Sequence, residues 1–188
     1  MDLSMWMQSP SDWGMLFLSA LLIGMSKTGI QGISLLAVPL MAMTFGAKSS
    51  TGLILPILCV ADLVAVLYYH RIAEWKYVLK LLPAALAGFG VALLVDRHVP
   101  PAEFKHLMGG CLLAVLAAML WSEWKGKENS LSSRWWYGSL FGLLGGFTTM
   151  IGNAAGPVMA IYLLSVKMPK YSFVGTNAWF FTVINYLT

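Results

Sequence analysis

Two ionisable side chains stand in parts of the sequence that otherwise carry almost no charge. Lys27 lies in the run Gly24-Met-Ser-Lys-Thr-Gly-Ile-Gln-Gly32, and Asp62 lies near the middle of the apolar segment 51–69. A charged group in hydrocarbon is costly and usually marks a path for ions or substrates. Lys27 could therefore balance the charge of a bound anion, and Asp62 could carry a coupling proton or pair with Lys27. The alternatives are a lysine in a cytoplasmic turn and a hydrogen-bonded structural aspartate.

Glycine-rich stretches interrupt the apolar sequence at two places, residues 24–32 and residues 145–157. The apolar segments beside them, 12–25 and 154–166, are shorter than the roughly 20 residues of a membrane-spanning helix. Short, glycine-interrupted segments in corresponding halves of a chain are typical of binding sites in secondary transporters. A helix that begins within the membrane presents unpaired N–H groups and a positive dipole end, which attract an anion. Two tight turns at the membrane surface are the alternative interpretation.

Small polar side chains cluster around both stretches, where they could donate hydrogen bonds to an anion. Pro157 suits the first turn of a helix, because the N–H group that it lacks would have no partner there. Asn177 and Asn185 lie in the last apolar segment, where they either bond to a neighbouring helix or face the substrate. The residues predicted to line the site are Ser26, Lys27, Thr28, Gly29, Gln31 and Gly32 in the first stretch, Thr148, Thr149, Asn153, Ala155, Gly156 and Pro157 in the second, and Asn177.

The composition indicates a membrane protein. Hydrophobic residues make up 59% of the chain and charged residues 11%, with a mean hydropathy of +0.74. A soluble domain usually carries about 25% charged residues. The sequence therefore predicts an all-α, polytopic transmembrane bundle in which short helices meet at mid-membrane. Its eight apolar segments are 12–25, 29–45, 51–69, 77–95, 104–124, 135–151, 154–166 and 172–188.

The distribution of basic residues predicts the orientation in the membrane. If the N-terminus lies outside and the eight segments alternate, nine of the 12 Lys and Arg residues fall in inside loops and three fall outside. Cytoplasmic loops of membrane proteins carry such an excess of basic residues. We therefore expect a multi-pass protein with its N-terminus outside.

A faint internal repeat runs through the chain at an offset of 123 residues, as in the pair Gly29 and Gly152. An odd number of spans in each copy would place the second copy upside down, and inverted repeats are a signature of secondary transporters. We expect a first repeat of about five spans over residues 1–124 and a cytoplasmic loop over 125–133. A second repeat, truncated at its C-terminus, is expected over 134–188.

Small residues recur at every fourth position in two of the apolar segments. Gly138, Gly142 and Gly146 do so in one segment, and Ala84 and Gly88 do so in another. Such stripes let two helices approach closely, so they predict helix packing and not chemistry.

The sequence contains no motif for enzymatic chemistry. The GxSxG, HExxH, paired CxxC and P-loop patterns are all absent. Cys59 and Cys111 lie in apolar segments without metal-ligand spacing, which favours small packing residues. The basic residues behind the net charge of +4 are dispersed and form no patch for nucleic acid. We therefore expect no catalytic residue, cofactor, metal site or nucleic-acid partner.

Both glycine-rich stretches resemble signatures of the sulfite exporter TauE/SafE family. The first run is Gly24-Met-Ser-Lys-Thr-Gly-Ile-Gln-Gly-Ile-Ser-Leu-Leu-Ala-Val-Pro-Leu-Met-Ala42. The second is Asn153-Ala-Ala-Gly-Pro-Val-Met-Ala-Ile-Tyr-Leu-Leu164, followed by Phe173-Val-Gly-Thr-Asn177. The resemblance implies a duplicated multi-span fold that moves sulfite, organosulfonates or related organic anions across bacterial inner membranes. The residues that it assigns to the site are Ser26, Lys27, Gly29, Gly32, Asn153, Gly156, Pro157, Gly175 and Thr176.

Together these features predict a membrane exporter or permease for a small anion. The alternative is a polytopic assembly or scaffold protein without transport activity, although a scaffold has no need for two glycine-rich breaks and Lys27. The expected partners are a small anion, the lipid bilayer and a coupling ion, which is either a proton or sodium. A homo-oligomer is left open.

Overall fold

The chain is helical throughout the part that the structure describes. The computed structural model describes residues 9–28, 32–125 and 135–187, and within these ranges it contains eight α-helices and no β-strand. The all-α prediction is confirmed for these residues. The helices are α1 (Pro10–Ser26), α2 (Ser34–Phe45), α3 (Ala47–Tyr69), α4 (Trp75–His98), α5 (Pro101–Lys125), α6 (Trp135–Gly152), α7 (Ala155–Ser165) and α8 (Lys170–Leu187).

Each predicted apolar segment overlaps one of these helices, and the segment 29–45 is helical from Ser34 onward. Among the described residues, three helical stretches are long and apolar enough to cross a membrane, namely Ala47–Ile72, Trp75–His98 and Ala102–Ser122, while α2 and α7 are apolar but shorter. Large apolar side chains point outward from the bundle, such as Phe17 at 73% and Leu67 at 72% exposure. An apolar outer surface of this extent is suited to lipid.

Local sequence explains two of the helix boundaries. Pro10 begins α1, and the Ser9 amide donates a 3.0 Å hydrogen bond to Asp12 Oδ2. The carboxylate thus satisfies an amide at the positive end of the helix dipole. Gly46 separates α2 from α3 with a φ of +85°, a conformation that glycine adopts without steric cost. This break keeps α2 to 12 residues.

Helices α4 and α6 pack with their backbones in close approach. A Cβ atom on Gly88 would overlap the carbonyl oxygen of Leu143, and a Cβ atom on Gly146 would overlap that of Ala85. Small residues at facing positions permit this spacing between two helices in a membrane. The packing role predicted for the small-residue stripes is confirmed.

Two buried apolar clusters hold the bundle together. One joins α1, α2 and α3 to parts of α4, α5 and α6, and it includes Met41 and Ile54. The other joins α4, α6, α7 and α8, and it includes Tyr162 and Phe180. The end of α1 and the starts of α2 and α7 line a cavity, together with Leu58 of the first cluster and Phe181 of the second.

Candidate functional site

The residues at the end of α1 and the start of α2, and the connection between α6 and α7, lie against the same cavity. Its volume is about 30 Å³, which is room for about two water molecules. Helices α3 and α8 complete the wall. The lining residues that the sequence predicted are Ser26, Lys27, Gly32, Thr149, Asn153, Gly156 and Asn177, and those that it did not place in the site are Ser34, Leu58, Phe181 and Asn185.

The first connection leaves α1 with a closed last turn. The amides of Lys27 and Thr28 donate to the carbonyl oxygens of Gly24 and Met25, each at 3.1 Å. Gly32 then adopts a φ of +82°, which a residue with a side chain rarely does. The chain can therefore turn into α2 directly beside the cavity.

Asn153 forms the second connection. Its φ is +50°, a left-handed conformation that asparagine tolerates better than most side chains. Its amide donates to the Thr149 carbonyl oxygen at 2.8 Å, and its side-chain Nδ2 donates to the Thr51 carbonyl oxygen on α3 at 3.2 Å. Helix α7 begins at Ala155, so that Gly156 of its first turn lines the cavity. Amides in a first helical turn have no partner within their own helix.

Lys27 and Asp62 form an ion pair beside the cavity. Lys27 Nζ lies 2.5 Å from Asp62 Oδ1, and the two side chains are 13% and 0% exposed. Either charge alone would be expensive at this depth, because removing one partner leaves an uncompensated buried charge. The pairing of Asp62 with Lys27, one of the two roles predicted for Asp62, is therefore present in the structure.

Asn185 holds the other oxygen of the same carboxylate. Its Nδ2 donates to Asp62 Oδ2 at 2.7 Å, and its backbone carbonyl oxygen accepts a 3.6 Å contact from Cys59 Sγ. Sequence reasoning left Asn185 outside the predicted site. The signal that could have placed it there is the repeat offset, since Asp62 and Asn185 are 123 residues apart.

Three buried polar atoms around the cavity have no hydrogen-bond partner in the described part of the protein. They belong to residues that line the cavity, and they are Thr149 Oγ1, Asn177 Oδ1 and Asn185 Oδ1. Buried polar atoms are normally paired with protein, water or a ligand. These three atoms are therefore available to bond to water or to a polar ligand in the cavity.

A second, smaller cavity lies on another side of Lys27. Its volume is about 10 Å³, room for about one water molecule. Ser26, Lys27 and Asn177 line both cavities, and Ala65 and Val174 help to close the smaller one. The Lys27 ammonium also lies 4.8 Å from the centroid of the Phe181 ring. Lys27 thus lines both cavities.

Thr176 lies away from the cavity, although the resemblance assigned it to the site. Its side chain is fully buried, and its hydroxyl accepts a 2.9 Å hydrogen bond from the Glu74 amide in the connection between α3 and α4. A Cβ atom on the neighbouring Gly175 would lie 2.8 Å from the Tyr69 carbonyl oxygen. These two residues pack α8 against that connection, and Asn177 is the next residue that reaches the cavity.

Other predicted site residues are distributed around the cavity without lining it. Thr28 is exposed, and its hydroxyl donates to a carbonyl oxygen of α1. Ala155 and Pro157 are buried in the first turn of α7. The Thr148 hydroxyl donates within its own helix. The predicted residues Gly29 and Gln31 lie outside the described residues.

The residues available near the cavity do not form a metal site. No group of three or more His, Cys, Asp and Glu side chains that could hold a metal ion occurs within residues 9–28, 32–125 and 135–187. The charged groups that the described structure places here are one lysine and one aspartate.

An all-helical bundle with an apolar outer surface and a buried polar cavity at two helix connections has the features of a membrane transporter. The sulfite exporter TauE/SafE family matches residues 16–188, which is nearly the whole chain. The chain belongs to this family, and the resemblance seen in its two glycine-rich runs is confirmed. It is accordingly a membrane transporter. Comparison with curated proteins and with solved structures gives no match.

Proposed function

We propose that this protein carries a small anion, such as sulfite, an organosulfonate or a related organic anion, and binds it in the cavity beside Lys27. The observation that supports this most directly is Lys27, whose side chain is 13% exposed and lines a cavity together with residues at the starts of α2 and α7. A buried ammonium is a point charge that attracts an anion strongly when water is scarce. The site then lies at mid-membrane in a bacterial inner membrane, with the N-terminus outside.

The starts of two helices add to the attraction for an anion. Ser34 is the first residue of α2 and Gly156 lies in the first turn of α7, and both line the cavity. Each helix start presents the positive end of a helix dipole, and α7 adds amide N–H groups of its first turn. At α2 the Leu35 and Leu36 amides already donate to the Gly32 and Ile33 carbonyl oxygens. The Thr149 hydroxyl, which has no partner in the described protein, can donate a further hydrogen bond. These donors suit the oxygen atoms of a sulfite or sulfonate group.

The anion competes with Asp62 for Lys27. The structure places the ammonium 2.5 Å from the carboxylate, so the pair is neutral. A bound anion can draw the ammonium away, because Lys27 has a long flexible stem whereas Asp62 is fixed by Asn185. The Asp62 carboxylate therefore takes the place of the substrate anion and neutralises the buried ammonium between transport cycles.

Inverted repeats are supported by the residues that meet at this cavity. Three pairs of residues in and beside its wall are separated by the repeat offset of 123 residues, and one of them, Asp62 with Asn185, is joined by a hydrogen bond. Equivalent positions of two inverted repeats come together at the axis that relates them. The other two pairs are Ser26 with Thr149 and Leu58 with Phe181.

The two cavities support alternating access. The larger one lies toward Asn153 and Gly156, and the smaller one lies toward Val174. Lys27 lines both, so a substrate bound to its ammonium could pass from one space to the other while the two repeats rock against each other. Such a mechanism requires a binding group that is accessible from both cavities, and Lys27 meets this requirement.

Uptake by the full-length protein in proteoliposomes tests the proposal. Sulfite and methanesulfonate are offered at the outside, and accumulation is compared for wild type, Lys27→Gln and Lys48→Gln. Lys48 is the matched control, because it also pairs with an aspartate but is 45% exposed. Lys27→Gln should weaken anion binding by about 1 to 3 kcal/mol, the worth of a hydrogen bond to a charged group.

The control separates loss of the site from loss of a surface charge. Lys48→Gln should transport at the wild-type rate. Equal uptake by all three proteins would show that Lys27 does not bind the anion. Absence of uptake of either anion by wild type would favour the alternative of a scaffold protein.

A further inference from the structure

The orientation of the Asn185 amide is fixed by its neighbour. Its Nδ2 donates to Asp62 Oδ2 at 2.7 Å, and a flipped amide would set a carbonyl oxygen against a carboxylate. Asn185 Oδ1 is therefore a true acceptor. This oxygen atom is buried, and Asn185 as a whole is 2% exposed. No donor among the described residues bonds to it. A fully deprotonated anion such as a sulfonate cannot satisfy it, because such an anion has no hydrogen-bond donor.

The charges at the site require a second partner when an anion binds. Lys27 and Asp62 are neutral together, so a bound monoanion leaves one net negative charge in a buried place. Such a charge is costly unless it is neutralised. A cation that restores neutrality must bind at Asp62 Oδ1, the atom that the Lys27 ammonium contacted before it turned to the anion.

We propose that Asp62 and Asn185 form a proton-binding site that loads when Lys27 turns from Asp62 to the anion. This inference rests on the proposed function. The carboxylate takes a proton that comes from bulk solvent through water in the cavity, so that Asp62 becomes a neutral acid and no hydroxide is left in the site. Its new O–H group donates to Asn185 Oδ1, while Asn185 Nδ2 continues to donate to the other oxygen. Acid and amide then face each other with two hydrogen bonds, and one proton moves with each monoanion.

Of the titratable groups at this ion pair, the Asp62 carboxylate is the one that accepts the proton. From α1 it faces Lys27, and from its own helix α3 the nearest titratable group is Cys59, whose Sγ contacts the Asn185 carbonyl oxygen. Helix α8 presents the Asn185 amide and the Phe181 ring to this ion pair. Once Lys27 has left, Asn185 Nδ2 still engages Asp62 Oδ2, so this pair offers two open oxygen atoms, Asp62 Oδ1 and Asn185 Oδ1. A sodium ion needs a shell of several oxygen atoms, whereas a proton needs only these two.

Infrared spectroscopy of the purified protein tests the proton site without any substrate. Lys27→Gln removes the ammonium and should leave Asp62 protonated at neutral pH, with an acid C=O band that disappears in Lys27→Gln/Asp62→Asn. Adding Asn185→Leu should move this band to higher frequency, because the acid loses its hydrogen-bonding partner. Thr182→Ala, a change on the same helix outside the cavity lining, is the control and should leave the band in place.

The infrared outcomes decide the roles of Asp62 and Asn185 separately. A carboxylate that stays ionised in Lys27→Gln would overturn the proposal. An acid band whose frequency does not change when Asn185→Leu is added would also overturn it, since Asn185 would then not bind the acid.

Calorimetry of the wild type provides a measurement that does not depend on a stable lysine variant. Methanesulfonate, which stays a monoanion at every pH used, is titrated in two buffers with different heats of ionisation. About one proton should be taken up for each anion bound by wild type, and none by Asp62→Asn. Anion binding without proton uptake, or binding that requires sodium, would overturn the inference. Failure to bind the anion at all would count against the proposed function, while the infrared result would still decide the proton site.

Discussion

Two lysine–aspartate pairs in this bundle use the same chemistry in different surroundings. Lys27 lies 2.5 Å from Asp62, and Lys48 lies 2.8 Å from Asp96. Each ammonium also lies over a phenylalanine ring, at 4.8 Å and 5.7 Å from the ring centroids. Their side chains are 13% and 0% exposed in the first pair, but 45% and 18% exposed in the second. Burial, and not the presence of a pair, is what separates the candidate site from the surface.

The difference in burial changes what each pair can contribute. The exposed pair joins the first turn of α3 to the end of α4, and such pairs typically add about 0 to 1 kcal/mol. The buried pair loses much of its attraction to the cost of desolvating two charges. A buried pair is therefore weak evidence for stability and stronger evidence for a functional site when it lines a cavity.

The largest expected difference is in stability. Lys27→Met should destabilise the protein by about 3 to 5 kcal/mol, because Asp62 is left buried without its counter-ion. Lys48→Met should cost at most about 1 kcal/mol. The loss in Lys27→Met should grow as the pH rises, because the native state must then hold a proton that the unfolded state releases. Chemical unfolding in detergent at several pH values measures both variants.

A double variant sharpens the same comparison. Lys27→Met/Asp62→Leu should recover most of the lost stability, since an apolar pair of similar volume often replaces a buried ion pair without penalty. If Lys27→Met and Lys48→Met lowered the free energy of unfolding by the same small amount at every pH, the two pairs would not differ in the way that their burial implies.

Asn185→Leu should have the next largest effect. It removes a hydrogen bond to a buried carboxylate, and such bonds contribute about 1.5 to 3 kcal/mol. The control is Thr182→Ala on the same helix, where the lost hydroxyl bonds only to a carbonyl oxygen of α8. Thermal unfolding of the two variants should separate them, and equal midpoints would show that Asn185 does not support the ion pair.

Salt should produce the smallest effect and should act on one pair alone. Exposed charges are screened by added salt, whereas buried pairs are screened much less. A double-mutant cycle for Lys48 and Asp96 should give a coupling energy that fades as sodium chloride is added. The same cycle for Lys27 and Asp62 should give a coupling energy that changes little, and a steep decline there would mean that water reaches this pair.

The helices and the position of the cavity could be predicted from the sequence. Apolar segments bounded by polar residues, glycine and proline locate all eight helices, because hydrocarbon excludes charge and requires internally satisfied backbones. The two glycine-rich stretches predicted where short helices would begin. Lys27 and Asp62 stood out because a charge within an apolar segment needs a reason.

The direction in which side chains of α8 point could not be predicted. Thr176 and Asn177 are neighbours in a run that resembles the family signature, yet Thr176 bonds to Glu74 and Asn177 lines the cavity. Asn185 was interpreted as a residue that either bonds to a neighbouring helix or faces the substrate, because an amide in an apolar segment serves either purpose. Rotation of a helix about its axis depends on tertiary packing, and local sequence carries little information about it.

Anion affinity of Asp62→Asn tests the competition for Lys27 most directly. If the carboxylate occupies the ammonium in the empty site, its removal should tighten methanesulfonate binding about tenfold, equivalent to 1.4 kcal/mol, while Lys27→Gln weakens it. Asp96→Asn, which breaks the exposed pair, should bind like wild type. Titration calorimetry on the full-length proteins gives all the affinities under one condition. Tighter binding by Asp62→Asn is the predicted result, and equal or weaker binding would contradict the proposal that Asp62 holds Lys27 in the place of the substrate.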